Sequence, residues 1–201
     1  MLKDDTYKTI ALPSEGIFKD KGSKFISYAF PVSDEESVKE IVQRIKKEHY
    51  SARHHCYAYR LGFSGENYRV NDDGEPSGTA GKPIYGQLLS KDLTNILVVV
   101  VRYFGGTLLG VSGLINAYKS ATVDVIANSE IVTKIILKRF RLQFDYMTQN
   151  SVMKIIKDEQ LEIVKSEYHM YCILEVLVRL QKEENILEKM RKIEGLKIDE
   201  I

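Results

Sequence analysis

The run Ile96-Leu97-Val98-Val99-Val100-Val101 constrains the fold of this chain more than any other stretch. Its side chains are apolar without interruption and almost all are β-branched, which favours extended backbone over helix. The run is too short for a buried helix, and no apolar run approaches the roughly 18 residues that suggest a membrane span. It reads as a buried strand, and no membrane partner is expected.

Flanking patterns supply further elements. Lys24 to Val32 reads as a strand ending at Pro31. Ser33-Asp34-Glu35-Glu36 then offers an N-cap at Ser33, with Glu36 three residues on and acids where a helix begins. Val38, Ile41, Val42 and Ile45 continue at helical spacing, and that helix should end near His49-Tyr50. Cys56 to Leu61 and Tyr68 to Val70 read as two short strands joined by a Gly-rich turn. Ile84, Leu88 and Leu89 predict a short helix with Pro83 in its first turn, and Leu114 to Ala127 a helix rich in small residues.

From Ile135 the pattern changes. Phe140, Leu142, Phe144 and Tyr146 alternate with Arg139, Arg141, Gln143 and Asp145, a half-buried strand. Val152, Ile155 and Ile156 mark a helix, and Leu161 to Tyr168 and Cys172 to Leu180 two strands. Ile186, Leu187, Met190 and Ile193 mark another helix, and Leu196 to Ile201 a last strand. The order β-α-β-β-α-β is the ferredoxin-like split unit. The boundary falls near Val132–Lys134, giving domains of residues 1–133 and 134–201.

Charge narrows the function classes. The chain of 201 residues has a formal net charge of +1, and residues 1–134 hold 17 Lys/Arg against 16 Asp/Glu. A protein gripping nucleic acid through many phosphates shows a basic excess, so any such site must be a local patch, and a DNA duplex is not an expected partner. Cys56 and Cys172 give neither a disulfide framework nor a CxxC knuckle. Met1 to Tyr7 is polar and lacks the order of a secretory signal. A reducing cytoplasm is the expected compartment.

The loop Asn71 to Pro83, NDDGEPSGTAGKP, has almost nothing to bury, and its glycines let the backbone approach another molecule closely. It is not a Walker A loop, which needs Gly at Pro76 and Ser/Thr at Pro83. Two readings of it stand side by side. Backbone N–H groups around Gly78–Gly81, a helix N-terminus and Lys82 could form an anion nest. Alternatively, Asp72 and Asp73 make Asx-type turns and Thr79 caps the helix. Asp72, Asp73 and Glu75 could hold Mg²⁺, but adjacent acids rarely point to one spot. On a strand, His54 and Cys56 face one way and Arg53 and His55 the other, too few ligands per side for zinc. No metal and no cofactor are expected. Arg102-Tyr103-Phe104-Gly105-Gly106 ends the buried strand. Arg102 with the two aromatics could stack on a base and pair with phosphate, or pair internally with an acid from Asn71 to Glu75.

Three blocks, Arg53 to Arg60, Asp72 to Pro83, and Arg102 to Gly106 with Leu109-Gly110, together resemble the IMPACT/YigZ family. The resemblance covers Phe18 to Ala127 most strongly. It implies an α+β chain whose N-terminal domain is like domain IV of elongation factor G and whose ferredoxin-like C-terminal domain is like domain V. It also implies binding to nucleic acid or the ribosome. Eukaryotic relatives carry a second, kinase-regulating domain that is absent here, so that role does not transfer. Where relatives often have a basic residue, Gly and Arg, this chain has Leu108, Ser112 and Asn116.

The first expectation is therefore a non-enzymatic, translation-linked protein that contacts RNA, the ribosome or a protein of the translation machinery. Its binding residues would be Arg53, His54, His55, Asp72, Asp73, Glu75, Ser77, Gly78, Thr79, Gly81, Lys82, Arg102, Tyr103, Gly105 and Gly106. The alternatives are an enzyme acting on a phosphorylated small molecule or nucleotide, and a protein-docking module. No catalytic residue is assigned.

Overall fold

The computed structural model describes residues 5–201; residues 1–4, part of the polar start, lie outside the described residues. The chain forms two compact units, one of Tyr7–Lys134 and one of Ile135–Ile201 with Asp5 and Thr6.

The segment through the larger unit runs β1 (Thr6–Ile10), β2 (Ser14–Asp20), β3 (Ser23–Pro31), α1 (Glu35–Glu48), β4 (His54–Leu61), β5 (Asn67–Asn71), α2 (Gly81–Ser90), β6 (Ile96–Tyr103), α3 (Gly110–Ala127) and β7 (Ile131–Ile135). Strands β2-β3-β6-β4-β5 form a five-stranded antiparallel sheet, and β1 pairs with β7. The apolar run occupies the central strand, β6. Ile96, Val98 and Val100 pack with Ile84 and Leu88 of α2 and Leu114 and Val125 of α3. Leu97, Val99 and Val101 pack with Val38 and Ile45 of α1. One strand thus feeds two hydrophobic layers. Each fully buried side chain of this kind contributes about 1.5–3 kcal/mol.

Local chemistry departs from expectation at the start of α1. The N-cap is Asp34, not Ser33; its carboxylate accepts from the Ser37 N–H at 2.8 Å, while the Ser33 hydroxyl donates to the same carboxylate. A carboxylate is the stronger acceptor at a helix N-terminus, and it moves the start one residue along.

The smaller unit runs β8 (Leu137–Phe144), α4 (Gln149–Asp158), β9 (Glu162–Tyr168), β10 (Cys172–Arg179), α5 (Glu183–Arg191) and β11 (Lys197–Glu200), with sheet order β11-β8-β10-β9. This is the ferredoxin-like arrangement. Phe140, Leu142 and Phe144 face Leu174, Val176 and Val178 in one core. On the other face Arg139 and Arg141 both pair with Glu175, whose carboxyl is held low chiefly by the Arg141 hydrogen bond. Tyr146 leaves the predicted alternation: it lies in the turn after β8 and donates its hydroxyl to the His169 carbonyl. The chain is α+β, in agreement with units like domains IV and V of elongation factor G.

Candidate functional site

Antiparallel pairing of β4 with β6 sets His54 opposite Arg102, and the loop after β5 folds over both. Between them and the start of α3 opens a groove of about 370 Å³, lined by Arg53, His54, Glu75, Arg102, Phe104 and Val111 among others. Strand alternation explains the selection. Arg102 and Phe104 point to the groove side, whereas the Tyr103 hydroxyl hydrogen-bonds His49 Nδ1 at 2.8 Å, next to α1. Arg53 escapes the alternation predicted for it. It precedes β4, and it lines the groove together with His54.

Arg102 is only 5% exposed. Its Nη1 donates to Glu75 Oε1 at 2.7 Å, and its Nε is buried with no hydrogen-bond partner. The guanidinium lies 5.5 Å from the ring centre of Phe25 and 5.6 Å from that of Phe104. The same Glu75 oxygen accepts from the Tyr118 hydroxyl at 2.9 Å, and the Cys56 thiol is 3.3 Å from that hydroxyl. Burial pushes the Cys56 thiol and the Tyr118 hydroxyl far above their ordinary ranges. Both keep their protons and serve as donors, so Cys56 offers no thiolate nucleophile. His54 Nδ1 donates to the Asp73 carbonyl at 2.8 Å. Its Nε2 lies 3.9 Å from Glu75 Oε1.

The acids of the loop go to three different places, which rules out a shared Mg²⁺ among them. Asp72 accepts from the N–H groups of Gly78 (2.8 Å), Ala80 (3.1 Å) and Gly81 (2.8 Å). The nest expected at Gly78–Gly81 is thus occupied by the chain's own carboxylate. Asp72, and not Thr79, satisfies the start of α2; the Thr79 hydroxyl donates to the Pro76 carbonyl. A Cβ on Gly81 would lie 2.7 Å from the Asn71 nitrogen, so this closure needs glycine there. Asp73 accepts from the His55 N–H at 2.7 Å and from Lys46 at 2.8 Å. Burial raises its carboxyl, but Lys46 and the His55 N–H outweigh that and leave it low. Ser77 and Lys82 are exposed, and neither lines the groove. Gly105 and Gly106 make the corner after β6 and do not themselves line the groove. A Cβ on Gly105 would fall 1.9 Å from the Gly22 carbonyl carbon, so the corner packs backbone to backbone against the β2–β3 turn.

His55 points away from the groove and donates Nε2–H to the His49 carbonyl at 3.1 Å. Burial holds its pKa below the ordinary value. The folded ring therefore stays neutral where the unfolded one already takes a proton. Its stabilisation is complete above the ordinary imidazole pKa of about 6.5 and is lost as pH falls from there toward the depressed folded value. His55→Gln should flatten the fall in melting temperature over that window; an unchanged slope would contradict the assignment.

A family model for the Impact N-terminal domain matches residues 21–126, from the turn before β3 to the end of α3. The chain belongs to the IMPACT family. Its relatives include IMPACT family member YvyE of Bacillus subtilis, 31% identical over 96% of this chain and 89% of that protein. IMPACT family member YigZ of Escherichia coli is 33% identical over 86% of this chain and 85% of its own. A crystal structure described as that of a hypothetical protein superposes with a TM-score of 0.74 at 30% identity, covering 98% of each chain. In this IMPACT family member, the sequence blocks that carried the resemblance all meet at the groove. Tyr118 did not stand out in the sequence. Its signal was a tyrosine on a helix of small residues, where a buried hydroxyl must find a partner.

Proposed function

We propose that this IMPACT family member is a non-enzymatic, translation-linked protein that contacts RNA or the ribosome through the groove at the end of β6. One observation carries the reading: unmatched donors collect there. Arg53 is exposed and forms no side-chain hydrogen bond or ion pair among the described residues. Arg102 lines the groove and its side chain donates to Glu75 alone, and α3 begins at Gly110, after the N-cap Leu109, with no side-chain cap and no acid in its first turn. Such a set favours an anion, and phosphate is the anion RNA offers. A local patch of this kind fits a chain of near-zero net charge. Ser77, on the adjoining loop, and Lys82, in the first turn of α2, extend the face, and the ferredoxin-like unit supplies a second contact. The compartment that follows is the cytoplasm.

The test is sedimentation of lysate through sucrose gradients at low and high salt. The wild type is expected to travel with ribosomal particles at low salt and to be released at high salt. Arg53→Ala should stay at the top and Lys82→Ala should weaken the association. Wild type at the top in both salts would remove the proposal. A second reading, an enzyme acting on a phosphorylated small molecule or nucleotide, is favoured by the concavity of the groove and the buried polar groups at its floor. A nucleotide-induced rise in melting temperature, without ribosome association, would favour it.

A further inference from the structure

The groove at the end of β6 is small. Its volume of about 370 Å³ lies at the low end of ligand pockets, about 300–1,000 Å³, which is room for a single small unit and not for a length of backbone. Its polar and apolar features are separated. At the floor stand Arg102, which donates to Glu75, and the uncapped start of α3; Arg53 stands at the edge. The walls are apolar. Phe104 is 43% exposed, with its ring centre 5.6 Å from the Arg102 guanidinium, and Leu108 is 83% exposed. Two guanidinium groups against the Glu75 carboxylate leave a net positive charge. The α3 N-terminus adds roughly half a charge more.

We propose that the groove binds a nucleoside 5′-monophosphate, either free or as the 5′-terminal nucleotide of single-stranded RNA, with the phosphate at Arg53, Arg102 and the start of α3 and the base on Phe104 and Leu108. This rests on the RNA reading above and sharpens it. A terminal phosphate carries a charge of about −1.5 to −2, whereas an internal diester carries one. It therefore gains more from two guanidiniums and a helix N-terminus. Arg102 is buried, so an anion reaches it only by entering the groove, and a phosphate fixed along a duplex cannot enter. The exposed aromatic edge selects the same ligand. Unpaired bases stack on such rings, while bases inside a duplex are already stacked. His54 also lines the groove and adds a ring nitrogen, Nε2, for a polar contact with the nucleotide.

Fluorescence anisotropy with a short single-stranded RNA tests this, using the 5′-phosphorylated strand, its 5′-hydroxyl counterpart and a blunt duplex, with adenosine 5′-monophosphate as a competitor. The phosphorylated strand is expected to bind at least about tenfold more tightly than the hydroxyl strand, the worth of a charge-assisted contact, and the monophosphate should displace it. Arg53→Ala should abolish the difference between the two strands. Arg53 is exposed and unpaired, so its loss leaves the fold intact. Phe104→Ala should weaken both strands. Equal binding of the two strands, or tighter binding of the duplex, would overturn the terminal pocket while leaving the RNA reading standing. If no RNA binds, the RNA reading falls. In that case calorimetry with the monophosphate alone decides: binding that Arg53→Ala abolishes upholds the groove as a nucleotide site, and no binding overturns it.

Discussion

Glu75→Ala is expected to destabilise the larger unit by about 3–5 kcal/mol, the cost of leaving a buried charge without its partner. Arg102 and Glu75 are both almost fully enclosed, and Tyr118 also donates to Glu75. The alanine variant therefore strands a guanidinium and a hydroxyl together. Urea denaturation would show it as a fall in midpoint at unchanged slope. Glu75→Gln keeps an acceptor and should lose less. The double variant Glu75→Ala/Arg102→Met should lose less than the sum of the singles, because it buries no unpaired charge. An alanine variant within about 0.5 kcal/mol of wild type would show that water replaces the carboxylate.

The second large effect is expected at Asp72. Removing its carboxylate leaves the N–H groups of Gly78, Ala80 and Gly81 without an acceptor, and two of those residues are buried. Asp72→Ala should lose about 2–4 kcal/mol, given the cost of unsatisfied buried donors. The same vacancy should make the variant responsive to anions. Added phosphate should raise its melting temperature more than that of wild type, because the start of α2 becomes an open nest. Equal responses would mean that the loop collapses when the carboxylate is lost.

The elements with a buried side were legible in the sequence. Ile96–Val101 and the alternation of Phe140, Leu142 and Phe144 announce strands because the core dictates every residue or every second one. β1, β2 and β7 were not announced. In β2 only Gly16 is buried, and β7 has no fully buried residue, so neither carries a periodic pattern. The site was legible as three blocks but not as an arrangement. That Arg102 would meet an acid from Asn71 to Glu75 stood as one reading of the sequence, but which acid depends on backbone direction. Positive φ at Asp73 and Gly74 (42° and 86°) turns the chain. Asp72 then goes to α2, Asp73 to β4, and Glu75 to the floor of the groove. No residue-type rule encodes that division.

The placement of β6 has a consequence for how the larger unit opens. Its odd-numbered residues, Leu97 to Val101, hold one layer and its even-numbered ones, Ile96 to Val100, hold the other, so neither layer can come apart without disturbing the strand they share. Excursions that peel away α1 alone, or α2 and α3 alone, leave a row of valines facing water on one side of an otherwise intact sheet. The amide protons of this strand, flanked by β3 and β4, are therefore the last to exchange with solvent, through opening of the unit as a whole. Arg102 belongs to the same strand, so its backbone keeps its place in such excursions, while the α3 side of the groove moves with that helix.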